Sequence, residues 1–216
     1  MNFDAWIKNY KSIVVEGPIG VGKTSLAKKI AIKYQLTTVL ENAKENPFLK
    51  KFYTDNEKYA LPTQLFFLFQ RLDQLTDLSQ ADLFEANLIA DFMLEKDTIF
   101  AGITLSELEM SLYRKIYENQ SGQISNPDLV IYLQAEPETL MKRIKKRGIT
   151  MERDISVEYI ANLSNAYNKF FYTYEKSPVL IVNTTHLDPI NNMADFDSLM
   201  NQLKNFKGRR AFFNAI

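Results

Sequence analysis

Two rhythms of apolar residues alternate along this chain. Short runs rich in β-branched residues, Ser12 to Val15, Thr37 to Leu40, Asn87 to Ala90, Leu129 to Leu133 and Val179 to Val182, predict five strands. Their nearly unbroken apolar character suits a parallel sheet buried on both faces. Between them the spacing changes to the three-and-four repeat of amphipathic helices. One such pattern follows Gly22 at once, with Leu26, Ile30 and Ala31, and a short one after Asn46-Pro47 carries Phe48, Leu49, Phe52 and Tyr53. A long helix is predicted from about Leu61 to Leu83; its centre, Leu65 to Phe69, is apolar all round and is expected to be buried. Further helices are expected over Phe92–Ala101, Ser106–Asn119, Pro137–Arg147, Val157–Glu175 and Asp195–Phe206. Ser106 followed by Glu109 reads as a capping box. Strands alternating with helices predict an α/β fold, a five-stranded parallel sheet covered on both faces. Nothing divides the 216 residues, so a single domain over 1–216 is expected, with a basic, aromatic tail at about 207–216 that reads as frayed or packed.

The most informative stretch joins the first strand to the first helix. Gly17-Pro18-Ile19-Gly20-Val21-Gly22-Lys23-Thr24-Ser25 fits G-x-x-x-x-G-K-[ST] in the strand–loop–helix setting that motif requires. Glycines let backbone N–H groups turn inward around a phosphate, and the helix N-terminus adds partial positive charge. Lys23 is placed to reach the β- and γ-phosphates of ATP, and the Thr24 hydroxyl to help hold Mg²⁺. The pattern predicts a nucleotide-binding protein.

In open α/β sheets, ligands sit beyond the carboxyl ends of the strands. Glu41 follows the second predicted strand and Asp91 the third, so both should share that crevice with the glycine loop. A phosphate donor and two carboxylates suit transfer of a phosphoryl group to a hydroxyl. One carboxylate accepts the hydroxyl proton and the other helps position Mg²⁺. Each also suits a capping role, Glu41 at a turn and Asp91 at the next helix. Arg143 and Arg147, one helical turn apart in a basic run ending at Gly148, read either as a solvated face or as a lid over about 143–155. Ile149 to Ile155 shows no apolar period and reads as a loop. Gln64 and Arg71 share a face of the long helix, where they either read a nucleobase edge or form a polar stripe. His186 is the only histidine and is assigned no catalytic role.

Composition narrows the partners. Twenty-six basic residues balance twenty-six acidic ones, so no overall field draws the chain to a nucleic-acid polymer or an anionic membrane. No run approaches the roughly eighteen apolar residues of a membrane helix. The chain has no cysteine and no export pattern over Met1 to Trp6, which predicts a cytoplasmic location.

Taken in order, several motifs give the chain a resemblance to bacterial members of the deoxynucleoside kinase family, especially deoxyguanosine and deoxyadenosine kinases. They are Glu16 through Thr24, Glu41 with Asn46-Pro-Phe-Leu49, Lys51-Phe-Tyr53, Gln64 through Arg71, Asp91 with Phe100-Ala101, Arg143 through Gly148, and Asn183-Thr184. The resemblance covers Ile13 to about Leu203 and implies a P-loop kinase fold with an arginine-bearing lid. It implies Glu41 as the base for the sugar 5′-hydroxyl, with Tyr53 and Glu152 holding the 3′-hydroxyl. Gln64, Arg71 and Asp97 are implied to read the base, with Phe67 and Phe100 packing on it. Asp91 is implied near Mg²⁺ and the reacting hydroxyl, Arg143 and Arg147 as lid arginines, and the assembly as a homodimer. Two positions depart from the family pattern: Phe92 stands where an arginine follows the acidic residue, and Ile149 where many relatives have an arginine after the lid glycine. Two outcomes are open for these departures: compensation by Arg153 or a lysine, or weaker transition-state stabilisation. Two rivals remain at this stage, a nucleoside monophosphate kinase and a non-catalytic accessory protein on the same scaffold.

Overall fold

A computed structural model describes residues 5–80, 87–122 and 124–214 of the chain. Six parallel strands, β1 (Ser12–Glu16), β2 (Thr37–Val39), β3 (Leu88–Ala90), β4 (Leu129–Gln134), β5 (Val179–Asn183) and β6 (Arg210–Asn214), form one sheet in the order β2-β3-β1-β4-β5-β6. The expected sheet of five strands is therefore corrected to six, and the tail read as frayed or packed supplies the sixth. Ala211 and Phe213 pack on the core while Arg210, Phe212 and Asn214 face outward. That half-polar alternation belongs to an edge strand, and it lacks the continuous apolar run that marks the four inner strands.

Alternate residues of the inner strands feed two apolar layers, as the period of two demands. Ile13, Val15, Ile131 and Val182 meet α1 (Lys23–Tyr34), α6 (Pro137–Arg147) and α8 (Met193–Asn205). Val14, Ala90, Tyr132 and Ile181 meet α4 (Lys96–Thr104) and α7 (Val157–Thr173). The second layer is aromatic, with the Tyr132 and Phe171 rings stacked 4.3 Å apart. α2 (Leu49–Thr54), α3 (Asn56–Gln80) and α5 (Glu107–Ser121) complete the chain, α3 lying against α2, α4 and α5. The predicted end of the long helix, 81–83, lies outside the described residues.

Two expectations about packing change. In the apolar centre of α3, Phe67 and Leu68 are buried, Leu65 and Phe66 are half-buried and Phe69 is exposed. Its neighbours cover only part of its circumference. The helix expected from Phe92 begins at Lys96 instead. Phe92 and Met93 are drawn into the aromatic layer, and the Met93 N–H donates to Glu16 at 3.1 Å, so the chain turns before it can coil.

Candidate active site

The glycine loop is shaped by close approaches. A Cβ on Gly17 would lie 2.3 Å from the Leu133 carbonyl oxygen, and its φ of 146° is one that side chains rarely adopt. A Cβ on Gly22 would lie 2.5 Å from Ile190 Cδ1. The Lys23 ammonium turns back into the loop and donates to the Gly17 and Pro18 carbonyls at 2.8 and 3.1 Å. Burial, then the nearby Lys96 charge, push its pKa down to about 8, against the pull of Glu16, Glu41 and Asp91. Beside the loop lies a cavity of about 490 Å³ bounded by Gly20, Gly22, Arg143, Thr184, Asp188 and Ile190. Lys29 pins its outer wall by donating to the Pro189 and Ile190 carbonyls.

Glu16, which was given no role from sequence, fastens the loop to its surroundings. It is fully buried and accepts from the Gly17 and Met93 N–H groups and the Tyr167 hydroxyl. Burial raises its pKa, with Lys96 and Lys23 opposing. Only the end of a strand beside a phosphate loop hinted at it, since a carboxylate in a run of valines has no other reason to be there.

Asp91 joins three elements. One carboxylate oxygen accepts from the Glu41 N–H at 2.8 Å and the other from the Thr24 hydroxyl. Because α4 begins five residues later, Asp91 does not cap it; one oxygen reaches the helix that carries the loop and the other the backbone just after β2. Thr24 and Asp91 offer a hydroxyl and a carboxylate at one point, which are the hard oxygen donors Mg²⁺ prefers. No cage of three or more acidic or histidine side chains occurs among the described residues.

The second half of the crevice is a ladder of alternating charges. Asp97 pairs with Arg71, Arg71 pairs with Glu41, and Glu41 pairs with Lys96. Arg71 Nε lies 2.8 Å from Glu41 Oε1, and Lys96 Nζ lies 2.6 Å from Glu41 Oε2. Burial alone would raise the Glu41 pKa, but the Arg71 and Lys96 charges outweigh it and hold the carboxyl well below its usual range. Asp97, with no exposed surface, moves the other way: burial pushes it up to about 6, with Arg71 opposing. Gln64, also buried, donates its amide to the Thr104 hydroxyl at 3.3 Å. The Phe67 ring lies 5.0 Å from the Arg71 guanidinium, and the half-buried Phe100 ring 5.8 Å from the Lys96 ammonium. Gln64 and Arg71 are therefore interior groups rather than a wet stripe on α3.

Both arginines of the segment read as a lid already have partners. Arg143 donates to the Thr184 hydroxyl and carbonyl at 3.0 and 2.6 Å, and Arg147 donates to Glu152 at 2.6 Å. Glu152 belongs to a short 3-10 turn, Thr150–Glu152, so the segment read as a loop holds one ordered turn. Burial raises the Tyr53 pKa, and Tyr159, Glu152 and Glu41 add to it. Tyr53 thus stays a protonated donor between the lid and the charge ladder. Of the two departures, Phe92 is fully buried and Ile149 half-buried, so neither position carries charge into the crevice. Lys96, buried against Glu41, does carry one, and sequence reasoning missed it because a lysine beside Asp97 reads as a solvated pair on a helix surface.

Parallel strands in this order, a glycine loop holding Lys23, and carboxylates at the ends of β2 and β3 define a P-loop phosphotransferase. A family model described as deoxynucleoside kinase matches residues 13–207. The chain belongs to the deoxynucleoside kinase family. It is 34% identical over 197 residues to the deoxyguanosine kinase of Bacillus subtilis, covering 89% of this chain and 95% of that one. It is 33% identical over 205 residues to the deoxyadenosine kinase of Dictyostelium discoideum, covering 88% and 82% of the two chains. A solved deoxyadenosine kinase from M. mycoides with bound dATP superposes with a TM-score of 0.79 at 28% identity, covering 90% of this chain and all of that one.

Proposed function

We propose that this kinase transfers the γ-phosphoryl group of ATP to the 5′-hydroxyl of a purine deoxynucleoside, working as a homodimer in the cytoplasm. The observation that carries the reading is Glu41, fixed between Arg71 and Lys96 with its N–H on Asp91. Its carboxylate lies near enough to Lys23 of the loop for the two charges to attract, which supports a place beside the donor phosphates. A base there serves a neutral sugar alcohol. A nucleoside monophosphate kinase would need free cations around its acceptor, whereas Arg71 is committed to Asp97 and Glu41. Similarity to deoxyguanosine and deoxyadenosine kinases supports the purine preference.

The roles proposed for the site residues are those that the family resemblance implies. Gly17 through Ser25 wrap the donor phosphates, with the Lys23 ammonium moving from loop carbonyls to phosphate oxygens. Arg143 and Arg147 exchange their present partners for the donor as the lid closes. Tyr53 and Glu152 hold the sugar 3′-hydroxyl; Gln64, Arg71 and Asp97 read the base edge between Phe67 and Phe100. Thr24 and Asp91 would hold Mg²⁺, which when bound neutralises charge on the transferring phosphates. Glu41 accepts the 5′-hydroxyl proton as the oxygen attacks phosphorus, and ADP leaves with the electrons of the broken P–O bond. Exposed apolar side chains on α3 and α5, Phe69, Leu108 and Leu112, support the homodimer.

The test is a panel of four deoxynucleosides, their ribose counterparts and deoxyadenosine monophosphate, assayed with ATP and Mg²⁺. Fastest turnover on a purine deoxynucleoside is expected. Glu41→Gln should lower kcat by about 10²–10⁴-fold while calorimetry finds nucleoside affinity retained. Near-normal turnover in that variant, or a preference for the monophosphate, would overturn the assignment.

A further inference from the structure

Lys96 occupies a position with three electrostatic disadvantages. It is 4% exposed, so its ammonium has lost most of its water. It is the first residue of α4, where the helix macrodipole disfavours a cation. It also lies close enough to Lys23 for the two charges to oppose each other. Among the described residues, the one carboxylate within bonding distance is Glu41, at 2.6 Å. That oxygen, Oε2, is the one left over once Arg71 has taken Oε1. Oε1 takes both Arg71 bonds and Oε2 takes one bond, from Lys96, so the site open to a hydroxyl proton lies on the oxygen that Lys96 holds.

Arg71 is not free to leave, because it is also tied to the buried Asp97. Lys96 is, since its stem ends in a single ammonium with three rotatable donors. As the 5′-hydroxyl proton arrives on Glu41, that side chain becomes neutral and its hold on Lys96 weakens. At the same moment the new ester phosphate forms next to it with two negative charges. The best partner for the ammonium thus changes from carboxylate to phosphoryl during the reaction itself. Resting on the assignment of Glu41 as base, we propose that Lys96 is a catalytic cation that passes from Glu41 to the transferring phosphoryl group and then grips the monophosphate product. The new bond joins the 5′-oxygen to phosphorus, the bond broken is that from phosphorus to the ADP oxygen, and the proton ends on Glu41. Lys96 supplies charge and exchanges no atoms.

The experiment compares the full chain with Lys96→Met, Lys96→Gln and Lys96→Arg. The glutamine variant keeps a donor toward Glu41 without the charge, and serves if the methionine variant fails to fold. Loss of the charge should lower kcat about 10²-fold or more, with KM for the deoxynucleoside and for ATP within about threefold. By calorimetry, deoxynucleoside 5′-monophosphate should bind about tenfold more weakly, and the deoxynucleoside itself almost unchanged. Lys96→Arg should recover part of both losses. Equal weakening of nucleoside and monophosphate, or a kcat within threefold in Lys96→Gln, would overturn the proposal. If the unaltered chain phosphorylates no deoxynucleoside, it is the acceptor assignment that falls; turnover in the unaltered chain with an indifferent Lys96→Gln sinks only the role of Lys96.

Discussion

At the residue scale, the site depends on four charges, three buried and Glu41 half-buried, whose partners come from three separate parts of the chain. Removing one partner of such a pair costs about 3–5 kcal/mol, because the other is stranded. The ladder also sets a pH response. Asp97 has its folded pKa raised to about 6, above the ordinary carboxyl value. A raised acid binds its proton more tightly in the folded state, so this group adds stability as pH falls through 6 toward 4 and removes it as pH rises. Measured by thermal or urea unfolding, the stability of the natural chain relative to Asp97→Asn should therefore increase by about 1 kcal/mol between pH 7 and pH 5. A difference independent of pH would mean that burial does not govern Asp97. Glu41 acts in the opposite sense, since its depressed pKa gives stability that is lost only as pH falls below the ordinary carboxyl range.

At the scale of elements, boundaries are set where local chemistry and core packing agree. Ser106 caps α5 through a reciprocal pair, its hydroxyl accepting from the Glu109 N–H while Glu109 accepts from the Ser106 N–H. This box was legible in sequence because it needs only two residues of the right type at the right spacing. Ser106→Ala should cost about 1 kcal/mol, read as a lower thermal midpoint with turnover unchanged, since neither residue approaches the crevice. α6 likewise begins at Pro137 and ends at Gly148, whose φ of 67° suits a left-handed cap. The start of α4 was not legible. Phe92 and Met93 favour a helix by spacing, but the aromatic layer and the Glu16 carboxylate hold them in a turn.

For the whole molecule, the parallel sheet brings four segments to one end, with the glycine loop after β1, Glu41 after β2, Asp91 after β3 and Thr184 just after β5. Helices then close over that end from both faces. The outer surface of α3 and α5 keeps Phe69 46%, Leu108 86% and Leu112 50% exposed, apolar area that a second copy would bury. Phe69→Glu combined with Leu112→Glu should shift the chain from dimer to monomer in sedimentation, with little loss of folded stability because neither residue belongs to the core. A monomeric natural chain at micromolar concentration would refute the dimer.

By itself, the order of residues determined what depends on near neighbours: the phosphate loop, the strand and helix alternation, the caps, and the two carboxylates at strand ends. Each of these is written in a few consecutive positions, and its physics acts over one turn or one pleat. Only the tertiary structure decided which charges meet. Lys96 on Glu41, Arg71 shared between Glu41 and Asp97, Glu16 bound to Tyr167, and β6 beside β5 all join residues distant in the chain. Their pairing follows from burial, which makes every enclosed charge or backbone group find a partner wherever the packing has brought one within reach.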